Sequence, residues 1–348
     1  MKNKIILIGP INQGKIACTG DAMKNQLFVK RFSEVFDKVI FIDTYHWRKR
    51  PWCIIDIFFK ILVNIKAKII VSANPGSADK LIKILNAANA SKRLFYWVVG
   101  GSFHIMLEKQ RFQVSTYSNL AGIFVQGTSM EMSLRKQGLN NAVYVPNSKY
   151  IHSLPIKHPF NDGKFHFVFL SRIEREKGCN HIIKAADILN KSGYKDKFDI
   201  TFYGKTTSDL SYKEEFLKQV KNNRSLKYMG VLDLQNPDNY QELSRYDVML
   251  FPTYWDGEGF PGVIIDAYIA GLPVIASDWN LNSDVVRDGE TGWIVPTHDI
   301  NALASKMMYA VDHPEIVAEF SYNSQKMAKK YDIRLVLSDD NLKELGIL

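Results

Sequence analysis

Between Asp247 and Asp278 the chain fits a strand, a glycine-rich turn, a helix and a second strand, and this run constrains the fold more than any other. Val248 to Phe251 is a short apolar run of strand type, and Asp256, Gly257, Gly259 and Pro261 make the turn. Val263 to Ala270 is apolar enough for a buried helix, which Gly271 and Pro273 stop before Val274 to Ala276 open the next strand. Such a turn presents unpaired backbone N–H groups and the positive end of the helix dipole, which attract anions and phosphates above all. Two carboxylates flank that end: Glu258 in the turn, and Asp266 about two helical turns further on. Carboxylates do not bind phosphate, but they accept hydrogen bonds from hydroxyls. A ligand with a phosphate between two polyhydroxyl ends is implied, and a nucleotide sugar has that shape. Two acids on a strand–turn–helix unit would by themselves fit any α/β protein.

The surrounding pattern is more specific. Glu258 and Asp266 stand with seven residues between them, inside Glu-Gly-Phe-Pro and ahead of Ala-Gly-Leu-Pro-Val. The run continues through Ser277-Asp278, Asp284 to Gly292 and Ile294 to Pro296. This stretch resembles the family-4 retaining glycosyltransferases of GT-B fold, the glycosyl transferases of group 1, of bacterial surface-polysaccharide type. The resemblance implies an α/β chain of two Rossmann-like, doubly wound domains facing across a cleft. It assigns Glu258 to the hydroxyls of the donor sugar and Asp266 to the ribose. The family has Glu at the second position, so Asp266 is shorter by one methylene.

Upstream, the apolar strand Phe165 to Leu170 leads into Ser171, Arg172, Arg175, Lys177 and Gly178, then a helix from His181 to Asn190. Arg172 and the Lys177-Gly178 pair match the family's Arg and Lys-Gly at this spacing. A diphosphate leaving group gains charge as its glycosidic bond breaks. A guanidinium and an ammonium aimed at it stabilise the transition state more than the ground state. The plainer reading, a solvated basic loop, has Arg175 and Lys184 in its favour. Backbone amides of Gly259, Phe260, Pro261 and Gly262 are expected near the phosphates, although Pro261 itself lacks an N–H. Gly230, closing the strand that starts at Leu226, is expected near the base.

In the amino-terminal half, Lys4 to Ile8 is a strand followed by Gly9 to Asp21 and a helix from about Ala22 to Phe36. Gly9, Gly14 and Lys15 imitate a phosphate-binding loop of nucleotide hydrolases. Ile16 replaces the required Ser or Thr, and Pro10 removes one cradling N–H. Gly14 is better read as close backbone approach to the donor. His104, in a glycine-rich loop after the strand that starts at Leu94, and Asp21 are candidate cleft residues.

The 348 residues accommodate two domains, expected as 1–155 on the acceptor side and 156–332 on the nucleotide-sugar side. A last helix over 333–348 is expected to pack back on the first. Residues 1–150 carry 22 Lys and Arg against 8 Asp and Glu, a net +14, whereas residues 151–348 carry 23 against 28, a net −5. A basic first domain points to an anionic partner, and no nucleic-acid reading motif accompanies the charge. Residues 47–66 are aromatic and basic at their entry, then apolar, and suit an anionic membrane surface as well as a buried helix. Cys18, Cys53 and Cys179 show no pairing or metal spacing, and the apolar start reads as a strand and not a signal peptide. These features imply a cytoplasmic protein, at most peripheral on the inner face of the membrane. No metal or cofactor is expected.

The resemblance therefore implies transfer of a hexose or related sugar from a nucleoside diphosphate, expected as a UDP-sugar, to a hydroxyl of a saccharide or lipid-linked saccharide. Arg172, Lys177 and Glu258 are the expected catalytic set. A nucleotide-sugar epimerase of the same fold and a non-catalytic nucleotide-sugar-binding subunit remain open alternatives.

Overall fold

A computed structural model of the chain describes residues 4–12, 19–45 and 52–348. It divides into two compact units, Met1–Tyr150 with Ile333–Leu348, and Ile151–Asp332.

The first unit is built on six parallel strands: β1 (Lys4–Gly9), β2 (Lys38–Asp43), β3 (Lys68–Ala73), β4 (Leu94–Val98), β5 (Gly122–Val125) and β6 (Ala142–Tyr144), in the order β2-β1-β3-β4-β5-β6. The second repeats the plan with β7 (Phe165–Leu170), β8 (Phe198–Tyr203), β9 (Leu226–Tyr228), β10 (Val248–Phe251), β11 (Val274–Ser277) and β12 (Gly292–Val295), ordered β12-β11-β10-β7-β8-β9. Strands such as Ile5 to Ile8 and Val248 to Phe251 are apolar at consecutive positions and buried throughout. A parallel sheet covered by helices on both faces requires that, because neither face meets water. In the second unit Phe167, Phe169, Ile200, Phe202, Val248 and Leu250 share one core. Each such side chain contributes roughly 1.5–3 kcal/mol on burial.

The C-terminal residues form two short helices, Ile333–Val336 and Asp339–Glu344, where one had been expected. The break has a local cause: Ser338 accepts from Asn341 N at 3.3 Å, and Asp339 and Asp340 occupy the first turn of the second helix. A capping hydroxyl and two acids favour a new N-terminus there. Leu337, Leu342 and Ile347 enter the core of the first unit beside Phe28 and Trp97. Arg31 clamps the segment, donating to Leu337 O from Nε at 3.0 Å and from Nη2 at 2.9 Å. Ile333 N donates to Lys149 O at 2.9 Å.

Candidate active site

In the second sheet the chain runs from β7 outward to β8 and β9, then returns to the other side of β7 as β10. The reversal falls between β7 and β10. In doubly wound sheets, ligands bind outside the carboxyl ends of the strands at such a point. Arg172 and Lys177 follow β7, and Glu258 follows β10, so the strand order alone puts both loops at one place.

The contact there is direct. Lys177 Nζ donates to Glu258 Oε2 at 2.5 Å, and both side chains are nearly removed from solvent. Thr253 Oγ1 donates to the same Oε2 at 3.2 Å. The Lys177 ammonium lies 4.1 Å from the centre of the Trp255 ring, and the Arg172 guanidinium 5.2 Å from it. Burial draws the Lys177 pKa down, Glu258 opposes this, and the Arg172 cation adds to the lowering. Arg172 is half-exposed and pairs with Glu174 at 2.7 Å.

Glycine fixes this geometry at two positions. Gly178 has φ +82°, and a Cβ there would come 2.2 Å from Pro252 O. The β7 loop can therefore lie against the end of β10 only with glycine beside Lys177. Gly257 lies under the Trp255 indole, where a Cβ would stand 2.5 Å from ring carbon Cζ2.

The helix after the turn spans Gly262–Ile269, with Pro261 as N-cap and no side-chain cap. Ile264 N donates to Pro261 O at 3.0 Å, and no side chain caps the amides before it, where an acceptor such as a phosphate oxygen can bind. Gly259 lies in the turn, and Phe260 is buried edge-on against Tyr331 with ring centres 5.6 Å apart. Asp266 is buried on the helix, and Tyr240 OH donates to its Oδ1 at 2.5 Å. Burial first, and then Asp266, raise the Tyr240 pKa, so the phenol stays a donor. Gly230, at φ +74°, accepts from Gly204 N at 2.7 Å and leads away from β9.

Residues 152–327, just over half of the chain, match the family described as glycosyl transferases group 1. The chain belongs to that family. Among characterised relatives of this group 1 glycosyl transferase is the poly(ribitol-phosphate) alpha-N-acetylglucosaminyltransferase of Staphylococcus aureus, 24% identical over 288 residues. That match covers 80% of this chain and 55% of the relative, so the chain spans about half the length of such relatives. Sucrose-phosphate synthase from Thermosynechococcus elongatus superposes with a TM-score of 0.75 at 14% identity, over 99% of this chain and 98% of that one. Anabaena HepE, solved in complex with UDP, superposes with a TM-score of 0.72 at 15% identity, over 99% and 100%. Likenesses at this identity establish the fold, which is GT-B.

The other candidate residues lie in the first unit or outside the described residues. Asp21 is in the first turn of the helix Gly20–Val35 and accepts from Ala22 N at 2.9 Å. His104 begins the helix Phe103–Glu108 one residue in; its Nδ1 is buried with no hydrogen-bond partner among the described residues. Burial lowers the His104 pKa and Glu108 raises it. Gly14 lies outside the described residues. Among the described residues one trio of possible metal ligands, Asp162, His166 and Asp199, lies close together. It sits at the amino-terminal ends of β7 and β8, the opposite end of the sheet from Lys177. Lys164 and Lys227 already engage the two Asp199 oxygens at 3.2 and 2.7 Å, supplying the positive charge a metal would bring.

Four residues escaped the sequence reading. Thr253 and Trp255 lie between β10 and Glu258, and an aromatic in a glycine turn was the available signal. Tyr240, on a short helix upstream of β10, offered none. Lys24 is fully buried in the first unit, its Nζ 5.3 Å from the Trp97 ring centre and 5.4 Å from that of Phe28. Its spacing to Phe28 and Phe32, four and eight residues on, puts it on the apolar stripe of the helix.

Proposed function

We propose that this glycosyltransferase moves a hexose-type sugar from a UDP-sugar to a hydroxyl of a saccharide, lipid-linked in the assembly of a surface polysaccharide. The observation that supports this most is the Lys177–Glu258 contact at the reversal point of the second sheet, beside the uncapped helix at Gly262. In this reading the diphosphate lies against Lys177, Arg172 and the first helix amides. Glu258 accepts from the sugar hydroxyls and Asp266 from the ribose. Gly230 approaches the base.

The bond from the anomeric carbon to the diphosphate oxygen breaks, and its electron pair passes to the diphosphate. Lys177 and Arg172 meet that charge, with no divalent ion required. The acceptor oxygen bonds to the same face of the anomeric carbon and its proton leaves with the phosphate. Retention follows from the family resemblance, and no protein nucleophile is invoked. The basic first domain serves the acceptor, and its charge suits an anionic membrane surface.

The test is a panel of UDP-, GDP-, dTDP- and ADP-sugars, scored by the rise in melting temperature and repeated on Lys177→Ala and Glu258→Ala. A rise with a UDP-sugar that both variants lose is expected. A rise that survives in both would move the donor elsewhere. The anomeric configuration of the product, read by NMR, decides retention.

A further inference from the structure

The helix Cys53–Val63 in the first unit carries an apolar face that no described residue covers. Ile57 and Ile61 point inward and are buried. Ile55, Phe59, Leu62 and Val63 point the other way and are each 64–72% exposed; Trp52, just before the helix, is equally exposed. On a helical wheel the outward residues form one continuous arc opposite the buried pair, with Asp56, Lys60 and Asn64 along one edge. Monomeric surfaces seldom leave so many large apolar side chains side by side.

The helix is held firmly in this attitude. Arg93 Nη1 donates to Asn64 O and to Ala67 O, both at 2.9 Å, tying down its C-terminal end. Lys60 pairs with Asp56 at 2.7 Å and neutralises the one acid between residues 46 and 68. By sequence that stretch also holds Lys66 and Lys68, and Arg48, Lys49 and Arg50, which lie outside the described residues.

We infer that this face docks on an anionic lipid bilayer, with the helix lying flat in the headgroup layer. Charge selects the occupant. A symmetric contact with a second copy would bring together two stretches that are both net positive by sequence, whereas an anionic surface complements that charge. At 11 residues the helix is about 16 Å long, enough to lie in the interface and too short to cross it. Among the described residues no helix is long and apolar enough to span a membrane. Trp52 and Phe59 are the aromatic side chains that settle at the boundary between headgroups and acyl chains. The inference rests on the proposed lipid-linked acceptor only for its purpose; the surface itself needs no donor.

The experiment is co-sedimentation of the full chain with phosphatidylcholine vesicles, with and without phosphatidylglycerol, at low and high salt. Binding to the anionic vesicles that weakens with salt is expected, and Phe59→Ser/Leu62→Ser should lower partitioning by at least about tenfold. Tyr322→Ser/Leu335→Ser, which removes exposed apolar side chains elsewhere, should bind as the parent does. The thermal melt of each variant establishes that it is folded. Absence of vesicle binding by the parent, or binding that the helix variant retains, overturns the inference. So does self-association that the helix variant abolishes while vesicles are ignored. Donor-induced stabilisation, measured on the same samples, reports separately on the proposed transferase activity.

Discussion

The Tyr240 hydroxyl donates to Asp266 Oδ1 at 2.5 Å, so the carboxylate assigned to the donor ribose already has one partner inside the protein. A carboxylate offers about four lone-pair sites and can accept from several donors at once. Tyr240 therefore orients the shorter Asp266 side chain, where a glutamate would reach further unaided. Tyr240→Phe should destabilise the second unit by roughly 1.5–3 kcal/mol, the range for a hydrogen bond to a charged group. Donor KM should rise several-fold with kcat less affected. An unchanged KM beside a lowered melting temperature would make Tyr240 purely structural.

The Lys177–Glu258 pair separates stability from catalysis. Removing one partner leaves a buried charge uncompensated, so Lys177→Ala or Glu258→Ala should each cost about 3–5 kcal/mol. Lys177→Met/Glu258→Gln removes both charges and should recover most of that loss in a denaturant titration. Under the proposed mechanism turnover should stay down by about a hundredfold or more, because Lys177 no longer helps Arg172 meet the charge on the leaving group. Recovery of activity along with stability would reduce the pair to a structural ion pair.

Lys24 gives a pH signature. Burial lowers its pKa well below the ordinary lysine value of 10.5. Between the folded and unfolded pKa values the unfolded chain binds more protons, so stability rises with pH in that window. The burden of the buried ammonium is fully present below the folded pKa and is relieved as pH climbs through it towards 10.5. Where one proton separates the two states the slope is about 1.4 kcal/mol per pH unit. Lys24→Met should be more stable than the parent at neutral pH and should lack this rise in parallel unfolding titrations. A parent and variant with the same pH profile would contradict the assignment.

The C-terminal segment is needed by the first unit. Leu342 is fully buried in its core, and Leu342→Ala should cost about 2–5 kcal/mol. Limited proteolysis should then cut first within residues 1–150, ahead of 151–332. Cleavage that begins in the second unit would refute this.

Much of the architecture was legible in the chain. Val248 to Phe251 reads as a strand and Gly271 with Pro273 reads as a helix stop because such signals act over a few residues. Arg172, Lys177, Glu258 and Asp266 could be singled out for the same reason: each sits at a recognisable spacing from a strand or a glycine. The break at Ser338 was missed although its signal is local, since Ser-Asp-Asp is an ordinary start for a new helix.

What the sequence alone determined, then, was the succession of strands and helices, their doubly wound type and the residues with suitable chemistry. Only the tertiary structure decided which of those residues meet. Lys177 and Glu258 lie 81 positions apart and touch because β10 returns beside β7. Tyr240 reaches Asp266, and Trp255 covers Lys177, through packing that no local pattern encodes. The same holds for the helix Cys53–Val63, apolar around most of its circumference: its sequence could not say which arc is buried, because that depends on what the sheet and Arg93 hold against it.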